Sequence, residues 1–266
     1  LLISKNVMAN WQDMHMCGRF VLDRKTSDLV SLFDVDTVGT DVPGPSWNIA
    51  PTQTISIVLD SLPRATEAEP YPEPVRRLEG ARWGLVPGWA MGPKAGPPLF
   101  NARSEGAAES ASFSNAVKTR RAVVPASGYY EWRVVDGTSV PYYVSLPGNE
   151  LMLFAGLFEW WRNPAVADDA PDKWLLSATV MTRASAGPLV DIHDRMPVFL
   201  DADLVEEWLD PQEPDDEEGE GSAVQQRLDE VVAGGAEVAG RAEFHEVSSA
   251  VGAVENNGEQ LTEAVA

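Results

Sequence analysis

In 266 residues this chain has one cysteine, three histidines and five lysines. The single cysteine, Cys17, excludes an internal disulfide and a Cys-rich metal cluster. Three histidines (His15, His193, His245) are too few for a His-based metal site, so neither metal nor cofactor is expected. A lone cysteine fits a reducing compartment, and a cytoplasmic location is expected. The longest apolar run, near Leu151–Phe158, falls far short of the roughly 20 residues a membrane helix needs. The first fifteen residues lack the apolar block of a signal peptide. No membrane partner is expected. A Gly-rich phosphate loop, an HExxH helix, a paired CxxC and a nucleophile elbow are all missing, which removes the commonest nucleotide, zinc-protease and serine-hydrolase readings.

Positive charge is scarce as well. The net charge is −21, with residues 201–266 holding 19 acidic side chains against two basic ones, Arg227 and Arg241. The first 200 residues carry a net −4, so the body of the chain is close to balanced and leaves room for a local cationic groove. The basic residues are 15 Arg and five Lys; a bias toward Arg suits two-pronged phosphate contacts, and base composition of the genome accounts for it equally well. The acidic excess resembles proteins of salt-rich cytoplasm. Salt shortens the Debye length to ~3 Å at 1 M and weakens ordinary phosphate contacts. A covalent bond to DNA does not share that weakness.

What is present is a chain of one-domain length with 44% hydrophobic residues and nine tryptophans, enough for a packed core. Strands are expected at Gly18–Leu22, Gln53–Leu59, Val75–Val86, Arg121–Pro125, Tyr129–Val135, Ser139–Leu146, Leu151–Trp161, Trp174–Thr182 and Glu243–Val247. Asp136-Gly137 marks a hairpin turn. Helical pieces are expected at Ser27–Phe33, weakly at Glu105–Val117, up to Leu209 from a cap at Asp201 or Asp203, and at Ala223–Val232. Val42–Thr52 is rich in Pro and Gly and reads as a structured loop, as do Asp60–Pro74, Ala90–Phe100 and Ala184–Met196. Pro211–Ser222 reads as a solvated acidic insertion, and the tail past Asn256 as mobile. Strands and helices do not alternate regularly, which argues for an α+β, strand-dominated fold rather than a doubly wound sheet.

Cys17 follows Met16. Initiation at Met16 and removal of that Met would make Cys17 the first residue, and residues 1–15 are then an extension absent or removed in the mature protein. An N-terminal cysteine carries an α-amine of pKa ~7.7–8.0 beside a thiol of pKa ~8.5. The amine condenses with an aldehyde to an imine, and the thiol closes a five-membered thiazolidine. An open-chain deoxyribose at an abasic DNA site is one such aldehyde. Arg19, Arg82, Arg103 and Arg195 stand beside Phe20, Trp83, Trp132 or polar loop residues, and Arg interleaved with aromatic faces suits single-stranded nucleic acid; core tryptophans and surface arginines are the plainer alternative. Glu131, between Tyr130 and Trp132, is either a desolvated general acid/base or an outward-facing strand residue. His193, between Asp191 and Asp194, either shuttles a proton or is a surface loop histidine. Asn101 either orients the amine or sugar or serves a turn.

Met16-Cys17-Gly18-Arg19-Phe20, Trp47-Asn48-Ile49-Ala50-Pro51-Thr52, Arg82-Trp83-Gly84-Leu85-Val86-Pro87-Gly88-Trp89, Asn101-Ala102-Arg103-Ser104-Glu105, Pro125–Trp132, Phe154–Glu159, Ile192-His193-Asp194-Arg195-Met196-Pro197 and Val247–Gly252 follow one another in an order that resembles the SRAP (SOS response-associated peptidase, or abasic site processing) family. The resemblance implies one domain over residues 16–252 with a curved, barrel-like antiparallel sheet and a few short helices, and a tail at 253–266. It implies a monomer that senses abasic sites in single-stranded DNA and shields them through a covalent crosslink. Cys17 would crosslink, with Asn101 positioning it, Glu131 as acid/base and His193 assisting. Arg19, Asn48, Pro51, Trp83, Arg103, Trp132 and Arg195 would contact DNA. The family's lyase and peptidase labels leave an alternative: a thiol peptidase or hydrolase using Cys17, releasing its own N-terminal segment.

Overall fold

The structure is a computed structural model that describes residues 18–66, 72–212 and 222–265. Cys17, His15, the expected start at Met16 and most of the acidic insertion lie outside the described residues.

In chain order the elements are β1 (Arg19–Leu22), α1 (Thr26–Phe33), β2 (Thr37–Val38), β3 (Ser46–Ile49), β4 (Thr54–Ser61), β5 (Val75–Trp83), β6 (Asn101–Arg103), α2 (Ser114–Thr119), β7 (Arg121–Ala126), β8 (Gly128–Val135), β9 (Thr138–Ser145), β10 (Met152–Arg162), β11 (Trp174–Ala184), β12 (Arg195–Pro197), α3 (Val205–Leu209), α4 (Ser222–Gly240) and β13 (Glu243–Glu246). The architecture is α+β and strand-dominated. Five strands, β4, β5, β11, β10 and β7, pair in a closed ring and form a barrel. A second, five-stranded sheet runs β13-β9-β8-β1-β3. The expected antiparallel pairing holds around the ring except at one seam, where β5 and β11 run parallel with Arg82 opposite Ser177. β6 also joins β11 in parallel, and β2 joins β5 in parallel.

Alternation explains the two faces of the second sheet. Phe20, Leu22 and Tyr129 point into the main core with the barrel residues, and Val21, Tyr130 and Tyr143 form a smaller core on the other face with Val247, Val251 and Leu261. β7 is buried along its whole length, as expected for a strand flanked in the barrel by β4 and β10. The β8–β9 hairpin turns at Asp136 and Gly137 with φ of 50° and 78°, the two positive values a type I′ turn needs.

Three sequence expectations are corrected. The Pro/Gly-rich stretch Val42–Thr52 contains a strand, β3, recruited by β1 through Phe20–Ile49 and Leu22–Ser46 pairing. The helix expected to end at Val232 continues to Gly240 because Gly234 and Gly235, normally helix-weakening, sit where α4 presses on its neighbours. A Cβ on Gly235 would lie 2.3 Å from the Phe199 carbonyl oxygen. The tail past Asn256 is docked, not loose: Leu261 is buried, Val247 bridges Ala264, and His245 Nε2 lies 2.8 Å from Thr262 O. No helix among the described residues is long and apolar enough to cross a membrane.

Candidate active site

Two groups of side chains converge where the second sheet meets one end of the barrel. The first stands on β8-β1-β3. β1 pairs with β8 through Arg19–Tyr130 and Phe20–Tyr129, so Gly18, the residue joining Cys17 to β1, comes next to Glu131 along the same ladder. Glu131 is only 4% exposed, and its Oε1 is fully enclosed. Its alternation with Tyr130 and Trp132 turns it toward the main core face, which settles its orientation against the outward-facing alternative.

Arg19 is half-buried. Its Nη1 donates to Asn48 Oδ1 at 2.9 Å and Val251 O at 2.8 Å, its Nη2 donates to Gly252 O at 3.1 Å, and its guanidinium carbon lies 6.0 Å from the Trp132 ring centroid. Burial lowers its pKa from the ordinary arginine value, partly offset by Glu255. Asn48 is 2% exposed, and its Nδ2 donates to the carbonyls of Val251, Ala253 and Asn256. It ties the C-terminal segment to β3 below the surface and orients Arg19, a different placement from the surface contact expected of it. Trp132 is half-buried beside Arg19, and Pro51 is half-buried in the turn after β3.

The second group surrounds the C-terminal half of β11. β6 lies along one edge, with Asn101 opposite Val180 and Arg103 opposite Thr182; β12 lies along the other, with Pro197 opposite Thr182 and Arg195 opposite Ala184. Arg103 is exposed and Asn101 half-buried. His193 Nδ1 receives the backbone N–H of Arg195 at 3.0 Å. Arg195 reaches over Thr182 to Glu105, Nη1 to Oε1 at 2.6 Å and Nη2 to Oε2 at 3.0 Å. The Arg195 hydrogen bonds hold the Glu105 carboxyl below the usual carboxylate range, against a smaller opposing effect of burial.

A small, mostly apolar gap between the second sheet and the β11–β12 pair is lined by Arg19, Phe20, Trp83, Tyr129, Phe154, Val180 and Pro197. Trp83 is 2% exposed; its ring packs edge-on against Phe20 and Phe100, and its Nε1 donates to Phe100 O. It belongs to the wall of the core and is not an open stacking face, which corrects the expectation for that residue. Arg82, considered beside it, turns back to donate to Gly84 O at 2.7 Å. The structure therefore gathers Asn101, Arg103 and Arg195 on the strands that flank β11, with His193 joined to Arg195, and gathers Arg19, Glu131 and Trp132 on β1 and β8. Asn48 and Trp83 support them from beneath. Sequence reasoning missed Glu105 and Thr182 as partners of Arg195. Glu105 stood in the Asn101–Glu105 motif, but nothing in its spacing pointed to an arginine 90 residues away.

Comparison with known proteins decides the family. The family model described as "SOS response associated peptidase (SRAP)" matches residues 16–254. The chain belongs to the SRAP family. The abasic site processing protein YoqW of Bacillus subtilis is 32% identical over 250 residues, covering 93% of this chain and 99% of its own. YedK of Escherichia coli, also named an abasic site processing protein, is 29% identical over 255 residues, covering 94% of this chain and 100% of its own. HMCES of Xenopus tropicalis, with the same description, is 35% identical over 188 residues, covering 62% of this chain and 54% of its own. Among solved structures, a protein from Bacteroides thetaiotaomicron superposes with a TM-score of 0.66 at 17% identity, over 94% of this chain and 100% of its own, which shows that the fold is shared.

Proposed function

We propose that this SRAP chain processes abasic sites in single-stranded DNA by forming a covalent thiazolidine through Cys17 as the first residue of the mature protein. The observation that carries the reading is Glu131, a carboxylate buried to 4% exposure beside the residue that leads back to Cys17. The names of the relatives support the substrate class.

The neutral α-amine of Cys17 attacks the C1 aldehyde of the open-chain sugar and gives a carbinolamine. Glu131, as its acid, donates a proton to the departing hydroxyl; water leaves, the nitrogen returns its proton to the Glu131 carboxylate, and an imine remains. The Cys17 thiol adds across the C=N bond, sulfur to carbon and its proton to nitrogen, closing the ring. One water is lost overall and no electrons are exchanged. Asn101 orients the amine or sugar, and His193 moves protons at the sugar oxygen. Arg19 and Arg103 supply positive charge along the strand, and Trp132 an aromatic edge.

The test incubates the purified chain with a single-stranded oligonucleotide holding one abasic site and separates the products under denaturing conditions. Wild type gives an adduct whose intact mass is the sum of both partners less one water. Cys17→Ser gives none; an equal yield from that variant would sink the reading. The word "peptidase" in the family description supports a second reading, a thiol peptidase using Cys17 and His193. It predicts peptide cleavage without DNA and no mass shift of the oligonucleotide.

A further inference from the structure

Arg195 serves two partners at once. Its side chain is 13% exposed, and its two-pronged edge is taken by Glu105. Nη2 also donates to Thr182 O at 2.8 Å and Thr182 Oγ1 at 3.2 Å. A phosphate cannot use the same edge while the carboxylate holds it. The guanidinium is thus fixed across the end of β11, between the turn that follows β6 and the start of β12.

The main chain of the same residue meets His193. Three groups lie close to Nδ1: Arg195 N at 3.0 Å, Arg195 O at 3.1 Å and Asp194 Oδ1 at 3.1 Å. One is a donor and two are acceptors, so the placement of Arg195 decides which form of the ring is kept. With the N–H donating to Nδ1, the neutral imidazole carries its proton on Nε2. A proton on Nδ1 would turn toward Asp194 or Arg195 O and leave the Arg195 N–H without this acceptor. Asp194 is 85% exposed, so water screens its pull.

We propose that Glu105 is a positioning residue for His193. Its two-pronged pair with Arg195, braced by Thr182, holds the Arg195 N–H on Nδ1 and keeps the imidazole proton on Nε2, ready to be given to an oxygen of the bound sugar. The pair links the strand carrying Asn101 and Arg103 to the loop carrying His193, so both sides of β11 are registered by one ion pair. The inference rests on the abasic-site reading only for its reaction step; the state of the ring is independent of it.

Ring nitrogen NMR tests the first part, and with three histidines in the chain the His193 signals are separable. In the neutral form of the ring, wild type is expected to show an unprotonated Nδ1 and a protonated Nε2. A proton on Nδ1 in that form of the wild type overturns the proposal without need of any variant. Glu105→Gln is expected to mix the two forms, and Glu105→Asp to restore the wild-type pattern in part. In single-turnover reactions at saturating abasic DNA, Glu105→Gln is expected to slow adduct formation by about tenfold or more. Its affinity for intact single-stranded DNA should stay within about twofold, because the carboxylate is not a DNA contact. Unchanged ring signals and an unchanged rate overturn the proposal. A fall in affinity with no change in the saturated rate overturns it too, since Arg195 would then act as a phosphate contact. Failure of wild type to form any adduct would remove the crosslinking reading and leave the ring spectra to judge Glu105.

Discussion

Glu105 and Glu131 are chemically alike side chains in opposite settings. Glu105 is 54% exposed and held below the usual carboxylate range by Arg195. A depressed folded value means that its contribution is full above the unfolded value near 4.5 and is lost as pH falls through the folded one. Acidification through the lowered folded value is therefore expected to loosen the Glu105–Arg195 pair, followed by NMR titration of the Glu105 carboxyl carbon. Glu131 has no such solvent exposure. Glu131→Gln keeps size and polarity and removes the transferable proton, so adduct formation should slow by about a hundredfold with the unfolding midpoint little moved. A rate within about twofold of wild type would contradict the acid role. At this scale the candidate side chains stood out in the sequence: one cysteine, one carboxylate between aromatics, one loop histidine. Their partners did not, because Asn48 finds its acceptors at Val251, Ala253 and Asn256, and Arg195 finds Glu105, only through the fold.

Strands with clear alternation were legible from local pattern alone; elements defined by a distant neighbour were not. β3 hides between Pro45 and Pro51, and its identity depends on the backbone of β1. α4 hides behind Gly234-Gly235, which reads as a break until the Phe199 backbone is seen against it. Gly235→Ala is accordingly expected to destabilise the fold by about 1–3 kcal/mol in urea unfolding, against a small gain expected from propensity alone. Asn48→Ala removes a donor from the carbonyls of Val251, Ala253 and Asn256, the latter two partly buried, and an acceptor from the Arg19 guanidinium. We expect a loss of about 2–3 kcal/mol, with the segment after Val247 becoming sensitive to protease before global unfolding. Stability within about 0.5 kcal/mol of wild type would mean that the C-terminal segment is held by its apolar contacts alone.

Across the whole molecule, the proposed function would divide the labour of holding DNA between charge and chemistry. With a net charge of −21, the surface away from the site repels a polyanion, and the few arginines at the pocket act locally. Reversible binding to intact single-stranded DNA should therefore weaken steeply between 50 mM and 200 mM salt, roughly in proportion to the phosphates neutralised. An adduct formed at low salt should survive transfer to about 1 M salt undiminished, since its bond is not electrostatic. Loss of the adduct on that transfer would mean that capture is non-covalent. The strand-dominated fold could be read from composition and alternation. The closed ring could not, because its seam joins segments with no mutual signal in their spacing.

That seam has a consequence for how the protein comes into being. β5 must wait for β11, made much later in synthesis, before the ring can shut. Asn101, Arg103, His193 and Arg195 take their places only along β11. A nascent chain still on the ribosome thus holds β1 and β6 before the strand that positions their neighbours exists. The candidate site is therefore assembled late, once β11 and β12 have both been made.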